Sequence, residues 1–190
     1  MSAQFEALIF LAEGFEEIEA ITPIDLLRRA GIKVTSVGLD RGQITAAQGT
    51  RHLADITFQE LPSDIQPAII ILPGGNLGTE NLFQSEKLKS LLYRQIQDGR
   101  WVAAICAAPT ILARHGLLRA DTLITCYPST SHWVPAAHYS PTKRVVVSPP
   151  FITSQGPGTS MEWSLEIIRQ LRGQATAEEI QRGVIAQICA

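Results

Sequence analysis

The chain has 190 residues, of which 45% are hydrophobic and 18% charged, with a formal net charge of −2. That length suits one ordinary domain able to bury its own core, and the composition excludes a disordered chain. The near-neutral charge gives no electrostatic reason to expect nucleic acid or an anionic membrane as partner.

A continuous apolar run over 5–12 reads as a strand buried inside a sheet. Glu13-Gly14 breaks it, and 15–30 carries a helical pattern closed by Gly31, with Pro23 inside and expected to bend it. A second strand is expected over 32–39. The stretch 43–58 has Gly49, scattered β-branched residues and no helical period, which suggests a hairpin or an excursion. A third buried strand over 68–72 ends at Pro73-Gly74-Gly75, and apolar residues at 82, 88, 91, 92 and 96 predict a helix over 82–97. A strand over 101–105 leads into a helix over 109–115, closed by Gly116, and a short strand is expected at 123–125. Residues 127–141, rich in Pro, Ser and His, read as a long loop. Strands over 144–147 and 151–153 flank Ser148-Pro149-Pro150 as a hairpin. Two helices follow over 158–172 and 176–188, the second with Thr176 and Glu179 spaced as a capping box. Strands alternating with helices predict an α/β fold, a three-layer sandwich with a mostly parallel sheet, forming a single domain over 1–190.

The longest apolar stretches, such as 68–72 and 145–147, are too short to span a bilayer, and the first residues carry no secretory signature. Cys106, Cys126 and Cys189 lie far apart with neither a disulfide nor a zinc pattern. The cytoplasm, where thiols stay reduced, is the expected compartment.

Cys106 ends the 101–105 strand, and Pro109 falls where a first helical turn tolerates it. A nucleophile elbow there would hold the sulfur at the C-terminal edge of the sheet, beside N–H groups that favour a thiolate. The alternative is a small buried hydrophobe. Ligands of such sheets bind beyond the C-terminal strand ends, where Cys106, Gly74-Gly75 and 13–19 all fall. Backbone N–H groups of Gly74, Gly75 and Ala107 are therefore candidates for an oxyanion hole around a Cys106 adduct, although a plain tight turn explains the glycines equally well. Leu72-Pro-Gly-Gly-Asn-Leu-Gly78 lacks the dinucleotide spacing, and no Gly-Lys-Ser/Thr occurs.

Favourable charge at a helix N-terminus accounts for Glu16 and Glu17. Glu19 is set among Ile18, Ala20 and Ile21, so burial is expected, with a partner or a raised pKa. A protonated Glu19 could donate to the Cys106 sulfur and serve as general acid–base. The four histidines, His52, His115, His132 and His138, show no metal-ligand spacing and no His-x-Glu arrangement. Each reads more simply as a surface residue, with His132 and His138, in the long loop, as possible pocket residues. No metal and no cofactor is expected.

Five segments in register resemble the ThiJ/PfpI family, in the branch of the human parkinsonism-associated deglycase and its bacterial relatives. They are Ala12-Glu-Gly-Phe-Glu-Glu-Ile-Glu19, Arg28-Arg-Ala-Gly-Ile-Lys-Val34, Leu72-Pro-Gly-Gly-Asn-Leu-Gly78, Ala104-Ile-Cys-Ala-Ala-Pro-Thr110 and Thr153-Ser-Gln-Gly-Pro-Gly-Thr159. The resemblance implies a flavodoxin-like sandwich and a homodimer with Arg28 and Arg29 near its interface. It implies Cys106 as an oxidisable nucleophile of low pKa, with Glu19 as its protonated partner and Gly75 and Ala107 N–H groups beside the sulfur. The implied function is a cofactor-free glyoxalase or deglycase acting on small aldehydes such as methylglyoxal or on their adducts. A redox sensor or chaperone working through a Cys106 sulfinate is the implied alternative. Ala107 follows the nucleophile where protease-like branches carry a histidine. Tyr127 stands where human-like members carry one. Gln155, and Gln48, stand where arginines are found, so weaker binding of anions in a pocket with Tyr127 and Gln155 is expected, and Ala108 replaces a glycine.

Overall fold

The computed structural model describes residues 5–187, so Cys189 and the last residue of the expected 176–188 helix lie outside the described residues. The strands are β1 (Ala7–Leu11), β2 (Val34–Gly38), β3 (Gln43–Thr45), β4 (Arg51–Leu53), β5 (Ile56–Thr57), β6 (Ile69–Leu72), β7 (Trp101–Ile105), β8 (Val145–Ser148) and β9 (Phe151–Ser154). The helices are α1 (Glu17–Arg29), α2 (Asn76–Gln84), α3 (Glu86–Gln97), α4 (Pro109–Arg114), α5 (Ser160–Arg172) and α6 (Gln174–Gly183). Seven strands form one sheet in the order β5-β2-β1-β6-β7-β9-β8, parallel throughout except for the antiparallel β8–β9 pair.

Every residue of β1, β2 and β6 is buried, as continuous apolar strands between two helical layers require. The two faces of β1 enter different cores. Ala7, Ile9 and Leu11 pack with Leu26 and Leu27 of α1 and Trp163 and Ile167 of α5. Leu8 and Phe10 pack with Leu82 of α2, Leu91 and Leu92 of α3 and Ile111 of α4. This is a flavodoxin-like three-layer sandwich, and α1 runs through Pro23 unbroken.

Four expectations change. The helix expected over 82–97 is two helices broken at Ser85, whose hydroxyl accepts from Leu88 N–H and caps α3. The polar, glycine-containing start of α2 hides its helical period. The stretch 43–58 is both hairpin and excursion: β3 and β4 form a separate two-stranded ribbon, and β5 then extends the main sheet beside β2. No strand forms at 123–125, where Ile124 makes an isolated bridge to Tyr139 and Thr125 N–H donates to Thr153 Oγ1. Thr176 caps nothing, because α6 begins directly after Gly173 and the Thr176 hydroxyl donates to Arg172 O. The 148–150 hairpin turn contains a cis Pro149–Pro150 bond.

Candidate functional site

β1, β6, β7 and β9 all end at the same edge of the sheet, and the segments that follow them build the site. Cys106 leaves β7 with a φ of +63°, a left-handed backbone rarely adopted without glycine. Two bonds hold it there: its N–H donates to Ser154 O at 3.0 Å, and its carbonyl accepts from Tyr127 N–H at 2.7 Å. Pro109 opens α4 three residues later, which completes the elbow.

Gly74 and Gly75 cross directly in front of Cys106. A side chain on Gly74 would lie 2.7 Å from both Cys106 Cβ and Glu19 Oε2, and one on Gly75 would lie 2.3 Å from Gly14 O. With Gly75 also at a φ of +88°, this crossing admits no larger residue. The N–H groups of Gly75 and Ala107 both reach the Cys106 sulfur and stabilise its anion. Gly74 serves differently, since its N–H donates to Glu19 Oε2 at 2.7 Å. Of the three N–H groups expected around a Cys106 adduct, those of Gly75 and Ala107 are at the sulfur, whereas that of Gly74 is engaged by the Glu19 carboxyl.

Glu19, on the first turns of α1, is fully buried, and its Oε1 has no hydrogen-bond partner. Burial pushes its pKa up to about 7, against the pull of the Gly74 N–H and of Cys106. Burial and the neighbouring Glu19 carboxylate push the Cys106 thiol up to about 12, while the Gly75 and Ala107 N–H groups draw it down. The resemblance implies a low thiol pKa beside a protonated Glu19; with Glu19 ionised, the thiol is instead held high. Burial disfavours charge on both groups, and a charge on Glu19 further disfavours the thiolate.

Cys106 opens onto a cleft of about 600 Å³ between the 13–16 segment, the 45–48 segment and Gly75 with the start of α2. Tyr127, 44% exposed, closes one side with its ring against Gly156. Gln48 also lines it and approaches Glu16 Oε2 with its amide at 3.5 Å. Three residues expected at the pocket lie off its lining. Gln155 donates to Pro141 O, His132 Nδ1 contacts Ser129 O, and His138 Nδ1 contacts Thr122 O.

Glu13 and Glu16 do line the cleft, although Glu16 reads in the sequence as a helix-end charge and nothing more. Glu17 has a different task, accepting from Gln48 N–H and the Thr50 hydroxyl, which docks the ribbon over the start of α1. That docking forms the cleft wall and depends on contacts more than thirty residues apart. Arg28 pairs with Asp55 at 2.9 Å and Arg29 with Asp25 at 2.7 Å. Among the described residues no three His, Cys, Asp or Glu come together as metal ligands, and no helix is long and apolar enough to cross a membrane.

Residues 6–170 match the model of the DJ-1/PfpI family. The chain is 40% identical to protein dj-1beta of Drosophila melanogaster over 181 residues, covering 94% of this chain and 96% of the relative. It is 35% identical to a protein of Caenorhabditis elegans named glutathione-independent glyoxalase DJR-1.2, covering 91% and 92%. A structure described as Toxoplasma gondii DJ-1, oxidized, superposes with a TM-score of 0.92 at 31% identity, covering 97% of this chain and 100% of that one. The chain belongs to the DJ-1/PfpI family.

Proposed function

We propose that this protein is a cofactor-free glyoxalase of the cysteine-dependent kind, acting on small α-oxo aldehydes such as methylglyoxal or on their adducts. The observation that carries this reading is the pairing of a buried, raised Glu19 carboxyl with the Cys106 sulfur, beside two N–H groups aimed at one point. The similarity to a named glutathione-independent glyoxalase supports it.

In this reading the Cys106 sulfur adds to the aldehyde carbon, with the pair's proton on Glu19 at that moment. The carbonyl oxygen takes the charge against the Gly75 and Ala107 N–H groups and is then protonated by Glu19, which is left as the carboxylate. The proton on the former aldehyde carbon passes to that carboxylate and then to the neighbouring carbon, while the hydroxyl proton moves to the neighbouring oxygen. That transfer oxidises the first carbon to a thioester and reduces the second to a hydroxymethine. Water then cleaves the thioester, releasing lactate and the free thiol. A carboxyl whose pKa sits near 7 is matched to such shuttling at neutral pH.

The test is lactate formation from methylglyoxal without glutathione. Cys106→Ser is expected to lower kcat/KM at least 100-fold, roughly the loss seen when a nucleophile is removed. Equal rates in the variant and wild type would end the reading.

A second reading, redox sensing or chaperone action through Cys106 oxidation, is favoured by the same partly exposed sulfur and by the oxidised relative. It requires low peroxide to convert Cys106 to a sulfinate before buried Cys126 reacts, which peptide mass mapping resolves. Both described cysteines are free, as the cytoplasm would keep them. We also propose a homodimer through the exposed face of α1, where Ile18 and Ile21 stand beside the half-exposed Arg28 and Arg29.

A further inference from the structure

The charged lining of the Cys106 cleft is of one sign. Glu13 and Glu16 face it, and among the described lining residues there is no Lys or Arg. Arg41 pairs with Glu13 at 3.8 Å from outside the lining, with its own side chain 68% exposed. Gln48, the amide on the opposite wall, is already turned toward the Glu16 carboxylate. Behind the cysteine, Glu19 adds a fully buried carboxyl with one unpartnered oxygen. An electrophile that carries its own carboxylate would bring a further negative charge against a lining without Lys or Arg, Arg41 being already engaged by Glu13.

We propose that this cleft is a charge filter, in which Glu13 and Glu16 turn away carboxylate-bearing carbonyl compounds. Uncharged α-oxo aldehydes, and those whose far end carries an amine or guanidine cation, are the class that reaches Cys106. A unit charge held a few ångströms from a half-exposed carboxylate shifts local concentration by about tenfold, and two carboxylates act in the same direction. The substrate side of the proposal rests on the cysteine-addition reading above, whereas the filter itself is testable without turnover.

The experiment compares the rates at which iodoacetamide, which is neutral, and iodoacetate, which is anionic, alkylate Cys106. Peptide mass mapping identifies the sulfur, and the same chain in urea supplies the reference ratio. Thiolate fraction and nucleophilicity cancel in the ratio, because both reagents attack one sulfur. The native amide-to-acetate ratio is expected to exceed the urea ratio by about tenfold. It should shrink toward that reference in roughly 1 M salt, where charges are screened over about 3 Å. Glu16→Gln and Gln48→Arg should each lower the native ratio several-fold. A native ratio equal to the urea ratio, or one that neither substitution moves, overturns the filter. With substrates, methylglyoxal should be turned over in strong preference to glyoxylate, and Gln48→Arg should narrow the gap. Turnover of neither aldehyde sinks the enzymatic reading, while the alkylation ratio still decides the filter.

Discussion

At the scale of single residues, the candidate site depends on a fully buried carboxyl beside a partly exposed thiol. Glu19 has an ordinary pKa of 4.5 in the unfolded chain and about 7 in the fold, so the native state binds more protons between those values. Stability therefore falls as pH rises from 4.5 toward 7, by at most about 3 kcal/mol if the whole shift is expressed. Glu19→Gln keeps an acceptor for the Gly74 N–H but cannot ionise. Urea midpoints measured from pH 4.5 to 7.5 should show the variant gaining on wild type as pH rises. A difference between the two that stays constant with pH would contradict the buried-carboxyl account. The placement of Cys106 was readable from the strand-to-helix elbow; the burial of Glu19 was expected from its apolar neighbours, yet Ile18 and Ile21 lie on the exposed face of α1 while Glu19 points inward. That the two come together was not legible in either segment alone, because they lie 87 positions apart.

At the scale of elements, the Gly74-Gly75 crossing decides how closely backbone N–H groups approach the sulfur. Gly75→Ala would force a side chain to within 2.3 Å of Gly14 O at a φ of +88°. Its expected cost is about 2–4 kcal/mol in urea unfolding, together with slower Cys106 alkylation. A variant as stable and as reactive as wild type would show that the crossing is a turn without function. The same element scale shows where reading by pattern stops. Buried strands such as β1 and β6 announce themselves by continuous apolar runs. The split between α2 and α3 does not, since Gly78 lowers helix propensity and yet is required by its close approach to Phe15, 2.8 Å from a built side chain. The 45–48 wall was equally hidden, because only the Glu17 contacts to Gln48 and Thr50 bring that ribbon over the start of α1. His132 and His138 drew notice from loop composition, but the Nδ1 of each contacts a backbone carbonyl, and neither lines the cleft.

At the scale of the whole molecule, the parallel sheet gathers four strand ends into one cleft and leaves α1 to serve two faces. Its inner side supplies Glu19, and its outer side leaves Ile18 and Ile21 at 53% and 42% exposure, three positions apart on one face. Sedimentation equilibrium is expected to return twice the 20.7 kDa of the chain, and Ile18→Glu to return the single mass. A wild-type chain that sediments at 20.7 kDa at micromolar concentration would exclude the dimer. The central claim remains that Cys106 and Glu19 work as one unit holding one proton. Its most direct test is the pH profile of kcat/KM for methylglyoxal in wild type and Glu19→Gln. The account predicts a wild-type rate that rises through about pH 7, as the pair loses its first proton, and a variant that is slower and lacks that inflection. An inflection near pH 7 that persists in Glu19→Gln would contradict it.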